Sequence, residues 1–212
     1  MILKGLGSYL CVLLIITFHE FGHAWMASKC GDDTARSQGR VSLNPIVHLD
    51  MVGTVILPLL VVFLSAAGSG LANFIIGWGK PVPVNPANLR RPKLDDVLVS
   101  MAGPAMNVVL TLVVLFLARL GALAQVHVLI DVGQQLAVLS MFLCFFNLLP
   151  IPPLDGSHLV RVLTGMTWST YARLAQFGFI AVILVIQVPI VRDVLAACTT
   201  RSVVLMARMV GF

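Results

Sequence analysis

Within the run Thr17-Phe18-His19-Glu20-Phe21-Gly22-His23, two histidines stand four positions apart, with a glutamate directly after the first. On a helix, residues i and i+4 share a face one turn apart, so both imidazoles can hold one zinc ion with the glutamate beside them. Glu20 is placed to take a proton from water there, and it is the only glutamate in the 212 residues. An H-E-x-x-H match fixes few positions and carries little weight in a polar helix. Here it lies inside an apolar run from about Leu6 to Met26. Placing such groups at membrane depth costs roughly 2.5 kcal/mol or more for each charge, which argues that something uses them.

A second chemical segment is Asn147-Leu148-Leu149-Pro150-Ile151-Pro152-Pro153-Leu154-Asp155-Gly156. Its prolines forbid a continuous helix and leave carbonyls unpaired, and such backbone is tolerated at membrane depth only inside protein or a wet cavity. Asp155 is the natural third ligand, because a hydrolytic zinc takes three protein ligands and keeps one position open. The plainer reading is a helix N-cap for the segment starting near Ser157; beside H-E-x-x-H in the same chain, the ligand reading prevails. In Ala102-Gly103-Pro104-Ala105 the small residues read as a close helix contact. Asn107, just after them, either bonds a neighbouring helix or helps line the cavity. His48 reads as an ordinary surface or loop histidine and His158 as a helix residue.

The elements that must position these groups are membrane helices. With 58% hydrophobic and 11% charged residues and a mean hydropathy of +0.97, the chain lies far from the roughly 25% charged usage of soluble domains. The expected fold is an all-α polytopic membrane protein in the lipid bilayer, a bundle of about 4–6 membrane segments in one domain. A zinc-bearing helix is expected over 6–28, a polar loop over 29–50, and a hairpin or re-entrant segment over 51–78 with its tip near Gly68-Ser69-Gly70. Spanning helices are expected over about 97–118, 132–147 and 170–188. Arg36 to Leu43 is a candidate short strand or hairpin, Lys80 to Pro86 an extended proline strip, and the stretch after Pro189 a candidate surface helix.

Lys4 followed by apolar residues resembles a signal peptide, yet no small-x-small cleavage site precedes Phe18, so a retained first helix is expected. The net charge of +5 is scattered through membrane-flanking loops without an aromatic-basic face, which argues against nucleic acid. Cys11, Cys30, Cys144 and Cys198 show no C-x-x-C spacing and read as small hydrophobes.

The two halves of the site can meet only if their helices end on the same membrane side. That side then carries nine of the 14 basic residues, the seven from Lys29 to Lys93 with Arg161 and Arg173, against five on the other. By the positive-inside rule the active site faces the cytoplasm.

Taken together, His19-Glu20-Phe21-Gly22-His23, Ala102-Gly103-Pro104 with Asn107, and Asn147-x-x-Pro150 leading to Leu154-Asp155-Gly156 resemble the site-2 protease family of intramembrane zinc metalloproteases, the M50 peptidases. The motifs occur in the family's order across most of the chain, which resembles a minimal, core-only member. The resemblance implies Zn2+ bound by His19, His23 and Asp155, with Glu20 as the catalytic base activating zinc-bound water. It implies transmembrane protein substrates in a prokaryotic cell membrane, with Asn147 as a substrate-binding residue; Asn107, read as lining the cavity, is the second substrate-binding candidate. A metal transporter and a catalytically dead scaffold are the competing classes; the first predicts polar groups continuing across the bilayer, whereas these gather at one depth.

Overall fold

The computed structural model describes residues 2–66 and 79–212. The described residues form helices α1 (Ile2–Lys29), α2 (Thr34–Ser37), α3 (Leu57–Ala66), α4 (Pro92–Leu123), α5 (His127–Asn147), α6 (Gly156–Thr164), α7 (Trp168–Ile186) and α8 (Pro189–Met209). Four of them, α1, α4, α5 and α7, are long and apolar enough to cross a membrane. The protein is an all-α polytopic membrane protein.

Each spanning helix satisfies its own backbone, so its contacts need only fit and face correctly. Helix association in lipid relies on close packing rather than on expelling water, and small residues supply it. A Cβ added to Gly22 of α1 would sit 2.6 Å from the Ala102 carbonyl oxygen of α4, and one on Gly133 of α5 would sit 2.9 Å from the Ala118 Cβ. Around these contacts Ile15, Leu110, Val114, Leu115 and Ala137 form the buried core. Apolar residues such as Val109, Val113, Phe116, Phe177 and Ile180 remain exposed, as a lipid-facing surface requires.

α8 packs Val203, Met206 and Ala207 onto this core, so the stretch after Pro189 is part of the bundle rather than a separate surface helix. Its Arg192, Asp193 and Arg201 leave it outside the candidate spans. The helices also begin earlier than hydropathy suggests: α4 starts at Pro92 and α5 at His127. Pro92 suits a first helical position because its missing N–H would be unpaired there anyway.

Among the described residues there is no strand, and Val41–Leu43 runs through bends, contrary to the expected strand or hairpin. Side chains replace a ladder there. The buried Arg40 guanidinium donates to the carbonyls of Val47, Lys80 and Pro81. His48, expected as an ordinary surface or loop residue, is 1% exposed, with Nε2 on the Ser42 carbonyl at 2.8 Å. Burial pushes its pKa down. The residues that flank the 51–78 segment are adjacent, since Lys80 N–H donates to the His48 carbonyl at 3.0 Å. The Gly68-Ser69-Gly70 tip proposed for that segment lies outside the described residues.

Asp32 holds the other end of the proline strip. Fully buried, its carboxylate accepts from Asn85 N–H at 2.7 Å, Asn88 Nδ2 at 2.9 Å and Thr34 N–H at 3.1 Å, and from the Thr34 hydroxyl. Burial alone would raise its pKa, but the donors outweigh burial and hold it below the usual carboxylate value. A depressed folded pKa stabilises the fold above the unfolded value of about 3.9, and that contribution fades as pH falls through the folded value. Asp32→Asn is expected to lower stability at neutral pH by about 1–3 kcal/mol and to flatten the loss of stability below about pH 4. Melting in detergent from pH 7 to acid checks this; an unchanged acid slope would contradict it.

Candidate metal centre

The H-E-x-x-H segment lies in the second half of α1, and the helical repeat sets His19 and His23 on one face with ring centroids 4.6 Å apart. α4 grips both rings from behind. His23 Nδ1 meets the Val99 carbonyl at 2.8 Å, and His19 Nδ1 meets the Asn107 side-chain amide at 3.2 Å. A carbonyl only accepts, so His23 Nδ1 carries the proton and Nε2 of the neutral ring is a lone pair.

Asp155 comes from the far side, at the start of α6 after the proline-broken turn from Asn147. His19 Nε2 lies 3.2 Å from Asp155 Oδ2, His23 Nε2 lies 3.4 Å from Oδ1, and the two Nε2 atoms are 3.1 Å apart. Asp155 makes no side-chain cap for α6, and Oδ2 has no hydrogen-bond donor. Three donor atoms all within 4.8 Å of one another, two of them imidazole nitrogens turned towards a carboxylate, fit a cation between them. The donor set and the open fourth side suit zinc.

The structure thus brings His19, His23 and Asp155 together and sets Glu20 on the wall of the same cavity, which measures about 870 Å³. Asn147 also lines it, with Nδ2 donating to the Leu143 carbonyl at 3.0 Å, and Val82 and Val84 of the proline strip form another part of the wall. Asn107 does not. It is fully buried between helices, and its backbone carbonyl accepts from the Thr111 hydroxyl at 2.8 Å and from the Ser140 hydroxyl at 3.0 Å. Its side-chain amide meets the His19 ring rather than the cavity. Oδ1 is the buried amide atom without a partner, and turning the amide about places that oxygen on His19 Nδ1–H. Such partners orient a ligating ring, so Asn107→Leu is expected to weaken metal affinity about 10–100-fold. Zinc titration against a competing chelator reads this directly; unchanged affinity would contradict it.

Sequence reasoning missed two cavity residues, Asp96 and His158. The available signal was spacing, since His158 follows Asp155 by one helical turn.

The profile of Peptidase family M50 matches residues 8–123 and 117–186. The chain is 37% identical over 198 residues to "Putative zinc metalloprotease YwhC" of Bacillus subtilis (strain 168), covering 88% of this chain and 83% of that protein. It is 31% identical over 181 residues to "Putative zinc metalloprotease Rip2" of Mycolicibacterium smegmatis, covering 84% of this chain and 65% of that one. The Rip2 protein of Mycobacterium tuberculosis (strain H37Rv) is likewise 31% identical, over 180 residues, and this chain spans 65% of its length. No solved structure matches the chain at comparable significance. A profile that takes in both the H-E-x-x-H helix and the Asp155 turn places the chain in peptidase family M50.

Proposed function

We propose that this membrane metalloprotease hydrolyses peptide bonds in or near transmembrane segments of other membrane proteins. The observation that carries the reading is the convergence of His19, His23 and Asp155, with Glu20 beside them, on a cavity walled by candidate membrane-spanning helices.

His19 Nε2, His23 Nε2 and Asp155 would hold the zinc, which when bound would supply Lewis acidity towards a carbonyl and lower the pKa of water. Glu20 accepts the proton of the attacking water and returns it to the leaving amine. A transmembrane substrate arrives as a helix whose peptide bonds are already paired, so it must unwind at the site. Asn147 Nδ2 is engaged by Leu143, which leaves Oδ1 to accept an N–H of the unwound backbone. Clamped at one end by Arg40 and at the other by Asp32, the strip around Val82 offers an extended edge for strand addition. The excess of basic residues on the site-bearing side favours an active site open to the cytoplasm, and the bacterial relatives favour a prokaryotic cell membrane.

The test is reconstitution in liposomes with a panel of single-span substrates, followed by chelation. Cleavage should disappear on metal removal and return with zinc alone. Cleavage that persists in fully metal-free protein would overturn the reading.

A further inference from the structure

The cavity wall carries a second polar pair, Asp96 of α4 and His158 of α6, which the hydrolytic mechanism leaves unused. Asp96 is 4% exposed, and both its oxygens are engaged: Oδ1 lies 2.9 Å from His158 Nδ1, and Oδ2 accepts from Arg161 Nη2 at 2.7 Å. Arg161 in turn lies 4.0 Å from the Trp168 ring centroid. The His158 ring is fixed by Trp168 and Tyr171, at centroid distances of 5.9 and 5.0 Å. Because a carboxylate only accepts, Nδ1 carries the proton and the neutral ring keeps a lone pair on Nε2.

Among the described residues nothing bonds His158 Nε2, and the side chain remains 22% exposed on the cavity. His158 lies one turn beyond Asp155, its N–H donating to the Asp155 carbonyl at 3.1 Å, so the two side chains share one side of α6. An acceptor therefore stands beside the metal ligands with its orientation already fixed. Arg161 offsets the Asp96 charge, so the acceptor comes without net charge into a largely apolar cavity.

An unwound transmembrane peptide brings backbone N–H groups into that cavity, and each one left unpaired is costly. We propose that His158 is a substrate-binding residue whose Nε2 accepts one backbone N–H of the unwound peptide near the scissile bond, with Asp96 as the positioning residue that sets its tautomer. The inference rests on the protease reading.

The experiment uses the full chain in liposomes and one cleaved single-span substrate, remade with single backbone amides near the scissile bond replaced by esters, which removes one N–H at a time. In the wild-type enzyme one ester should raise KM about 2–10-fold. His158→Phe, which keeps an aromatic ring against Trp168 and Tyr171, should show the same increase on the all-amide substrate and no further loss with that ester. Asp96→Asn can donate to Nδ1 and turn Nε2 into a donor, so it should lose the same ester sensitivity with zinc content unchanged. Should either variant fold poorly, the scan on the other decides the matter. An ester effect of equal factor in the wild type and the variant would overturn the inference while leaving the protease reading intact. A wild-type enzyme that cuts no membrane substrate would remove both.

Discussion

Gly103→Ala is expected to abolish metal binding and cleavage together, although Gly103 ligates nothing. A Cβ at this position would lie 2.3 Å from His23 Nε2, 2.6 Å from His23 Cε1 and 2.7 Å from His19 Cε1. The rings cannot swing aside freely, because the same helix holds them through Val99 and Asn107. Relief requires either breaking those bonds or moving α4 away from α1, where Gly22 and Ala102 already touch. A displacement of about 1 Å costs about a hundredfold in rate, and more follows if the metal is lost. Zinc content of the purified variant and its cleavage rate check this. Gly7→Ala on α1 is the control, since an added Cβ there meets nothing within 4 Å. A Gly103→Ala protein with full zinc and normal turnover would contradict the site geometry.

Glu20→Gln is expected to separate chemistry from metal binding. Glutamine keeps the shape of the side chain but cannot take the proton of the attacking water. Glu20 is not among the converging ligand atoms, so zinc should stay at the wild-type level. The cleavage rate should fall about 10²–10⁴-fold, the usual contribution of a positioned general base. Retained zinc with turnover within about threefold of wild type would remove Glu20 from that role.

These expectations draw on features of unequal legibility. His19, Glu20 and His23 could be read directly because one helix fixes their relative placement, and Asp155 because three prolines mark a break that only a site or cavity tolerates. Hydropathy located the apolar centres of the spanning helices but not their ends: the charged first turn of α4, with Lys93 and Asp95, looks like loop until its capping proline is recognised. The expected strand near Val41 failed because alternation over so few residues cannot reveal that Arg40 and His48 will satisfy the local carbonyls instead. Asn107 was ambiguous because its partner depends on how two helices face one another. The Asp96–His158 pair was hidden for the same reason, since it joins α4 to α6 across a long stretch of chain.

On the proposed reading the bond is cut within the membrane at this site. The most direct measurement places a single-span substrate in liposomes with wild-type protein and maps the product termini by mass spectrometry, with Glu20→Gln as the blank. New termini inside or at the edge of the apolar segment, absent with Glu20→Gln, are the expected result. Termini confined to the soluble flanks, or identical products from both proteins, would contradict the account.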